Sequence, residues 1–341
     1  MHITKHNVIK NSNTLNNRFL HTKQIFEILS QKQFDELALE LFHFQYKNNK
    51  IYKKYCDLLK IDPKKVNKIE KIPFLPISFF KTHQVYCGDE KSDIVFTSSG
   101  TSGMVTSKHL IKNVNLYDLS FLNGFSKFYG NIKDYIIIGL LPSYLERDGS
   151  SLIYMVKHLI ELSGHQESGF FLNEFKQIED IIKCNKGTKK ILLIGVSYAL
   201  LDFAEQNQPD LSGCIVMETG GMKGKRKEIP KTKLHQILKK GFNVNQIHSE
   251  YGMTELLSQA YATNDGKFKT PPWMKVFTRE TNDPFSITHQ KTGGLNIIDL
   301  ANVYSCAFIA TQDLGKVYPN HFEVLGRFDN SDIRGCNLLV Q

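Results

Sequence analysis

The sequence predicts an α/β protein: a large domain of alternating strands and helices, with a helical N-terminal preface and a β-rich C-terminal subregion. Three observations carry this. Residues 20–60 place apolar side chains three and four apart over several turns, as helices do. From about 92 to 250, short apolar strand-like runs alternate with helix-like ones, the signature of a sheet covered on both faces. After 270 come short β-like runs split by turns, without long helices between them.

The elements follow in order. The preface, taken as residues 1–90, is helical through LHTKQIFEILSQKQFDELALELFHFQYKNNKIYKKYCDLL; Pro63, Pro73 and Pro76 then break the pattern and lead into an extended approach. In the core, taken as 91–270, DIVF (93–96) reads as a strand ending in a Ser/Gly/Thr loop, and 107–128 as a helix with an aromatic face. DYIIIGLL (134–141) reads as a buried strand, with helices at 151–162 and 171–184. KKILLIGV (189–196) is strand-like, YALLDFAEQ (198–206) helix-like and CIVMET (214–219) strand-like again. The β-rich subregion, 271–341, holds MKVFTRE, GGLNIIDL, CAFIATQDLGKV and HFEVLGRF, and ends in a short tail with Cys336.

Composition narrows the class. With 341 residues, 41% apolar and 23% charged, the chain is long enough to bury a large core and ordinary for a globular protein. The early residues are polar almost throughout, and the longest apolar runs are too short to span a bilayer, so the expectation is a cytoplasmic protein without a transmembrane segment. Six cysteines at 56, 87, 184, 214, 306 and 336 form no C-x-x-C pair and no zinc-like spacing. The net charge of +9 favours anionic partners. Without a zinc finger, aromatic RNA signature or continuous basic helix, no nucleic-acid partner is expected.

Four separated segments hold the residue types of a nucleotide site. In 96-FTSSGTSGMVTSKH-109, small residues let backbone N–H groups approach an anion, and the hydroxyls of Ser98, Ser99, Thr101 and Ser102 add donors. Gly100 and Gly103 complete the loop, and Lys108 follows as a possible phosphate partner. By itself this loop reads equally as a phosphate cradle or a structural turn, and Lys108 as a surface lysine. ETGGMKGK (218–225) follows a strand, and Gly220–Gly221 permits close approach to a flat ligand or simply a tight turn. In EYGMTE (250–255), Tyr251 offers a stacking plane next to Gly252, Thr254 a phosphate donor, and Glu255 a carboxylate able to hold Mg²⁺ whose other ligands are phosphate oxygens and water. A helix cap at Thr254 with Tyr251 in the core is the plainer reading. Asp313 in TQDLG lies where a carboxylate can accept both hydroxyls of a ribose. Arg327 and Asp329 in GRFDNSDIRG stand nearby, and read alone they are surface salt-bridge residues. Other candidates are weaker: Ser197 in LIGVSYA is not in a nucleophile elbow, and His109, His165 and His248 form no metal motif.

TSSGTSG, YGMTE, QD and GRFD, in that order, resemble the signatures of the adenylate-forming enzyme superfamily, which includes acyl-CoA synthetases and luciferases. With TGGMKG and RGC near the end, the pattern over about 90–341 is more closely similar to the bacterial acyl-protein synthetases, which supply fatty acyl groups to the reductase of bacterial bioluminescence. The resemblance implies an adenylate-forming-like large domain that takes ATP and Mg²⁺. Ser98 to Gly103 would hold the phosphates, Gly220 and Gly221 would flank adenine, and Tyr251 would line its pocket. Thr254 and Glu255 would sit at phosphate and metal, Asp313 at the ribose with Arg327 beside it, and Asp329 at a hinge. Two departures stand out: the glycine loop runs on as GMVTSKH without the usual proline and lysine, and the sequence ends at Gln341, twelve residues after Asp329. The small C-terminal domain with its catalytic lysine is therefore expected to be missing.

The resemblance also assigns Cys336 in RGCNLLVQ to accept the acyl group as a thioester, with Arg334 lowering its pKa; locally it reads as an apolar residue beside Leu338 and Leu339. The expected reaction is ATP-dependent activation of a fatty or related carboxylic acid as acyl-adenylate, transfer to Cys336, and collection by a partner reductase or transferase protein. Direct delivery to coenzyme A, a carrier protein or a sugar intermediate is the first alternative. A nucleotide-binding partner protein without adenylation is the second.

Overall fold

The structure, a computed structural model, describes residues 22–99, 105–141, 149–222, 225–227, 229–264, 266–281, 283–288 and 290–328. The first two helices, α1 (Gln31–Asn48) and α2 (Lys50–Leu58), confirm the helical preface. Ser30 and Gln33 form a reciprocal capping box at the start of α1, satisfying N–H groups that a helix end leaves bare. Phe34, Leu37, Ala38, Leu41 and Phe42 form its buried stripe. Gln45 extends the stripe and is buried because its amide is fully used. It donates to the carbonyls of Asn302 (2.8 Å) and Val303 (2.9 Å) and accepts from Ala307 N–H (2.9 Å). Asn49 caps α2 through Oδ1 and donates to Ser305 O at 2.9 Å.

The proline-marked approach contains β1 (Leu75–Pro76) and the short helix α3 (Phe79–Thr82). Next come β2 (Ile94–Thr97) and β3 (Lys108–Ile111), an antiparallel pair, and α4 (Val114–Tyr129). The alternating part follows: β4 (Tyr135–Leu140), α5 (Ser151–Ser163), β5 (Gly169–Phe171), α6 (Phe175–Asn185), β6 (Lys190–Val196), α7 (Ser197–Asn207), β7 (Ile215–Thr219), α8 (Lys231–Phe242), β8 (His248–Tyr251) and β9 (Ala260–Ala262). These strands form a sheet in the order β5-β4-β6-β7-β8-β9, parallel except for β9. β4 is buried along its whole length, as a central parallel strand must be.

The second sheet is built from β10 (Met274–Arg279), β11 (Ile287–Thr288), β12 (Thr292–Asp299), β13 (Phe308–Val317) and β14 (Phe322–Arg327). These pair antiparallel, while β1 adds to the β13 edge in parallel. Arg279 passes beneath β12, bonded to Leu295 O, Asn296 Oδ1 and Thr311 O. A Cβ on Gly293 would strike the Arg279 carbonyl, so that position requires glycine, and one on Gly294 would have to displace the guanidinium.

Two element readings need correction. Residues 107–128 are not one helix: β3 occupies 108–111 because Ser107, His109 and Ile111 alternate inward, and Asn113 caps the helix that follows. The helix read at 171–184 starts at Phe175, since Gly169–Phe171 pairs with β4. A helix that the sequence reading left unassigned, α8, opens at Lys231, and its Leu234, His235, Leu238 and Phe242 have helical spacing. Among the described residues no helix is long and apolar enough to cross a membrane.

Candidate active site at the sheet edge

The parallel register aligns the carboxyl ends of the strands: Gly195 lies beside Leu140, Thr219 beside Val196, and Glu250 beside Thr219. Ligands of open α/β sheets collect at this edge, where loops leave the strands and backbone N–H groups are free to bind. The Gly220–Gly221 turn leaves β7 here, and Gly220 takes the left-handed φ of +67° that the turn requires. Ser197 at the start of α7 donates to Gly220 O at 3.4 Å, a structural use of that serine. Gly252, Thr254 and Glu255 follow directly from β8.

Tyr251 joins the two sheets. Its ring packs against Phe268 and Phe322, with centroids 5.7 and 5.5 Å away, and its hydroxyl donates to Asp313 Oδ2 at 2.7 Å. Asp313 is buried on β13. Its Oδ1 accepts from Nε of the register partner Arg327 at 3.2 Å, and that side chain is 80% exposed. Three residues far apart in sequence thus make one connected group at the rim.

Glu255 is 6% exposed. Burial raises its pKa, while the Ser107 hydroxyl and the positive charges of Arg327 and Lys81 pull it back. Its position is set by backbone ties from behind. His109 Nδ1 donates to Thr254 O at 2.7 Å, and Asn302 Nδ2 donates to the carbonyls of Glu255 (2.8 Å) and Cys306 (2.9 Å). Asn302 Oδ1 faces His109 Nε2 at 3.1 Å. Burial pushes the His109 pKa down to about 4 against these two acceptors, so the ring is neutral near pH 7. The buried Asp299 carboxylate, its pKa raised by burial, accepts Leu257 N–H, Ser258 N–H and the Ser258 hydroxyl, and so fixes the chain after Glu255. Among the described residues no cluster of three or more His, Cys, Asp or Glu is arranged to hold a metal. A cation at Glu255 would therefore draw most of its ligands from phosphate and water, as Mg²⁺ does.

Ser98 lies opposite, beyond β2, where its Oγ accepts Ser107 N–H at 2.8 Å. Ser99 and Lys108 are exposed; Lys108, at the start of β3, pairs with Thr97 of β2. Gly100, Thr101, Ser102, Gly103, Asp329 and Cys336 lie outside the described residues. Arg226 is not free for phosphate: it is ion-paired with Asp202 and Glu205 of α7. His165 bonds Lys133 O away from the edge, and His248 meets the Tyr129 hydroxyl at 3.2 Å.

The sequence reading missed Asn302, Asp299, Gln259 and the Glu218 cluster. Glu218, buried on β7, bonds Lys231, Ser197 and lies 3.5 Å from His235. Burial alone would raise its pKa; Lys231, with hydrogen bonds from His235 and Ser249, outweighs that and brings it to about 2. Its one visible signal was a glutamate in an otherwise apolar strand.

Comparison with known proteins agrees with this architecture. The family described as "Acyl-protein synthetase, LuxE" matches residues 1–120. The chain is 25% identical over 365 aligned positions to a long-chain-fatty-acid–luciferin-component ligase of Aliivibrio fischeri, covering 98% of this chain and 95% of that protein. It is 23% identical to the Vibrio harveyi protein of the same name, covering 94% and 90%. It is homologous to these ligases. Among solved structures, 2-hydroxyisobutyryl-CoA ligase with its acyl-adenylate and CoA superposes with a TM-score of 0.64 at 10% identity, over 90% of this chain and 71% of that one. ATP-bound MatB from Rhodopseudomonas palustris gives 0.53 at 16% identity, over 70% of this chain and only 49% of MatB. The fold is that of the adenylate-forming enzymes, with a helical N-terminal region and a β-rich C-terminal subregion.

Proposed function

We propose that this chain is an ATP-dependent ligase that activates a carboxylic acid as its acyl-adenylate and hands the acyl group to an acceptor. The observation that carries the proposal is the convergence of Gly220–Gly221, Tyr251–Glu255, Asp313 and Arg327 at one sheet edge, in an adenylate-forming fold. In this reading the Asp313 carboxylate accepts the ribose hydroxyls, with Tyr251 and Arg327 holding it in place. Gly220 and Gly221 lie along adenine. The loop from Ser98 through Gly103 and the Thr254 hydroxyl donate to phosphate, and Lys108 adds charge. Mg²⁺ at Glu255 would neutralise phosphate charge.

A substrate carboxylate oxygen attacks the α-phosphorus; the bond to the bridging oxygen breaks, pyrophosphate leaves, and a mixed anhydride with AMP remains. The chain's own contribution is to orient the two reactants and to hold donors on the phosphoryl oxygens. The fatty-acid ligase relatives make a fatty or related acid the first class to try. Delivery from the adenylate to coenzyme A, a carrier protein or another partner needs only the site described. Passage through Cys336 adds one step: its thiolate attacks the acyl carbon, AMP leaves, and a thioester is carried to a reductase or transferase. Four of the described cysteines do not compete for this role by activation: burial raises the Cys87 and Cys306 thiols and pushes Cys56 up to about 12 and Cys214 up to about 11.

Acid-dependent exchange of pyrophosphate into ATP tests the first step. Exchange with one acid class is expected, with loss of about 100-fold in Glu255→Gln on removing a phosphate-side charge; no exchange with any acid in folded protein would remove the adenylation reading. Radiolabelled acid then separates the acceptor routes, because Cys336→Ala abolishes covalent label only if the thioester forms.

A further inference from the structure

We propose that Lys81 is a catalytic cation of this site: its ammonium meets the phosphate oxygens beside Glu255 and stabilises the charge that builds on them as pyrophosphate leaves. This rests on the adenylation reading above and adds a residue to it.

The fold brings Lys81 to that place from two directions. β1 runs parallel to β13, with Pro76 beside Ala310 and Ile77 N–H donating to Ala310 O at 2.9 Å. The chain leaving β1 therefore heads along β13 toward Asp313. There α3 forms, and aromatic contacts fix it on two sides. Phe79 packs edge-on against Tyr55 of α2, with ring centroids 5.7 Å apart. The buried Phe80 packs edge-on against His109 at 5.4 Å, and His109 is the residue that holds Thr254 O. Successive residues of a helix point about 100° apart. With Phe79 and Phe80 both committed to packing, Lys81 turns outward, and it is exposed. Its charge still reaches Glu255, where, with that of Arg327, it opposes the effect of burial.

Other cations near the edge are committed elsewhere. Arg226 is ion-paired with Asp202 and Glu205, Lys231 with the buried Glu218, and Arg327 with Asp313. Lys108 alternates to the opposite side of its strand from Ser107 and His109, which bond Glu255 and the Thr254 carbonyl. Lys81 is in no ion pair among the described residues. A lone surface lysine is ordinarily a solvated group. This one differs because the helix that carries it is packed onto the residue that positions Thr254 and, through it, Glu255. In the reaction the carboxylate oxygen bonds to the α-phosphorus and the electron pair of the broken bond leaves on pyrophosphate. Lys81 transfers no proton; it acts as a charge and a hydrogen-bond donor held ready for that moment.

Calorimetric titration of ATP, with magnesium, and of adenosine reads the contact without turnover. Lys81→Met should weaken ATP about tenfold, as loss of a hydrogen bond to a charged group does, and leave adenosine unchanged. Lys81→Arg, which keeps the charge, should hold ATP affinity within a few-fold of the starting protein. In pyrophosphate exchange Lys81→Met should lose about 100-fold in kcat with the KM for the acid unchanged. Its melting temperature should stay where it was, because the side chain is exposed. An undiminished kcat would overturn the inference. Equal weakening of ATP and adenosine, or a lowered melting temperature, would also overturn it by showing a structural lysine. Absence of exchange with every acid, alongside a selective loss of ATP affinity in Lys81→Met, would instead sink the adenylation reading and leave the phosphate contact standing.

Discussion

Asp313 and Gln259 separate binding from stability by opposite signs. Asp313→Asn keeps an oxygen for the Tyr251 hydroxyl but loses the charge facing Arg327, whose guanidinium is 80% exposed and contributes little to folding. The KM for ATP should rise about tenfold, equivalent to about 1.4 kcal/mol, while the melting temperature hardly moves; a steady-state titration with a thermal scan checks both. Gln259→Leu should do the reverse to stability. Deleting a buried oxygen that has no donor among the described residues removes a penalty of about 1–3 kcal/mol, so the melting temperature rises. Asp313, Tyr251 and Glu255 were legible in the sequence because each stands in a short block of unusual composition. Gln259 was not. It follows that block by four positions in a run of ordinary residues, and its missing partner is a property of three-dimensional packing alone.

The same contrast holds for whole elements. β4 and β6 are long apolar runs and α5 is a clean amphipathic repeat, so their positions were readable to within about two residues. β3 was not, because His109 occupies an inward position whose burial makes sense only once Asn302 and Thr254 O are seen opposite it. β12 shows a different kind of hidden constraint. Gly293 and Gly294 open the β-like run GGLNIIDL, and within the paired strand they stand where Arg279 needs the space. Gly294→Ala should displace the guanidinium from Leu295 O and Thr311 O and destabilise the protein by about 1–3 kcal/mol, as overpacking does. Chemical denaturation measures this, and an unchanged midpoint would show that the guanidinium has somewhere else to go.

For the molecule as a whole, two buried groups with large shifts shape the response to acid, alongside His248, whose pKa burial also lowers. His109 is held neutral at a pKa of about 4 against an ordinary 6.5. The unfolded chain binds the extra proton between those values, so this contribution, roughly 3 kcal/mol, is complete above pH 6.5 and lost as pH falls toward 4. Glu218, at about 2 against 4.5, contributes a similar amount above pH 4.5 that is lost as pH falls toward 2. Stability measured by denaturant from pH 8 to 4 should therefore fall first with the buried histidines, and His109→Asn should make the upper part of that curve shallower. The outline of the molecule, helical preface, alternating core and β-rich end, was written in periodicity. Its joinery was not, because Gln45 and Asn49 look like ordinary polar residues on a helix until the carbonyls of 302–305 are found beneath them. Those contacts have a consequence for how the polypeptide can be divided. The preface clasps the turn that carries Asn302, and Asn302 clasps the carbonyl of Glu255. Severed in the loop near residue 90 and produced as two separate polypeptides, the pieces should find each other and regain activity only when mixed.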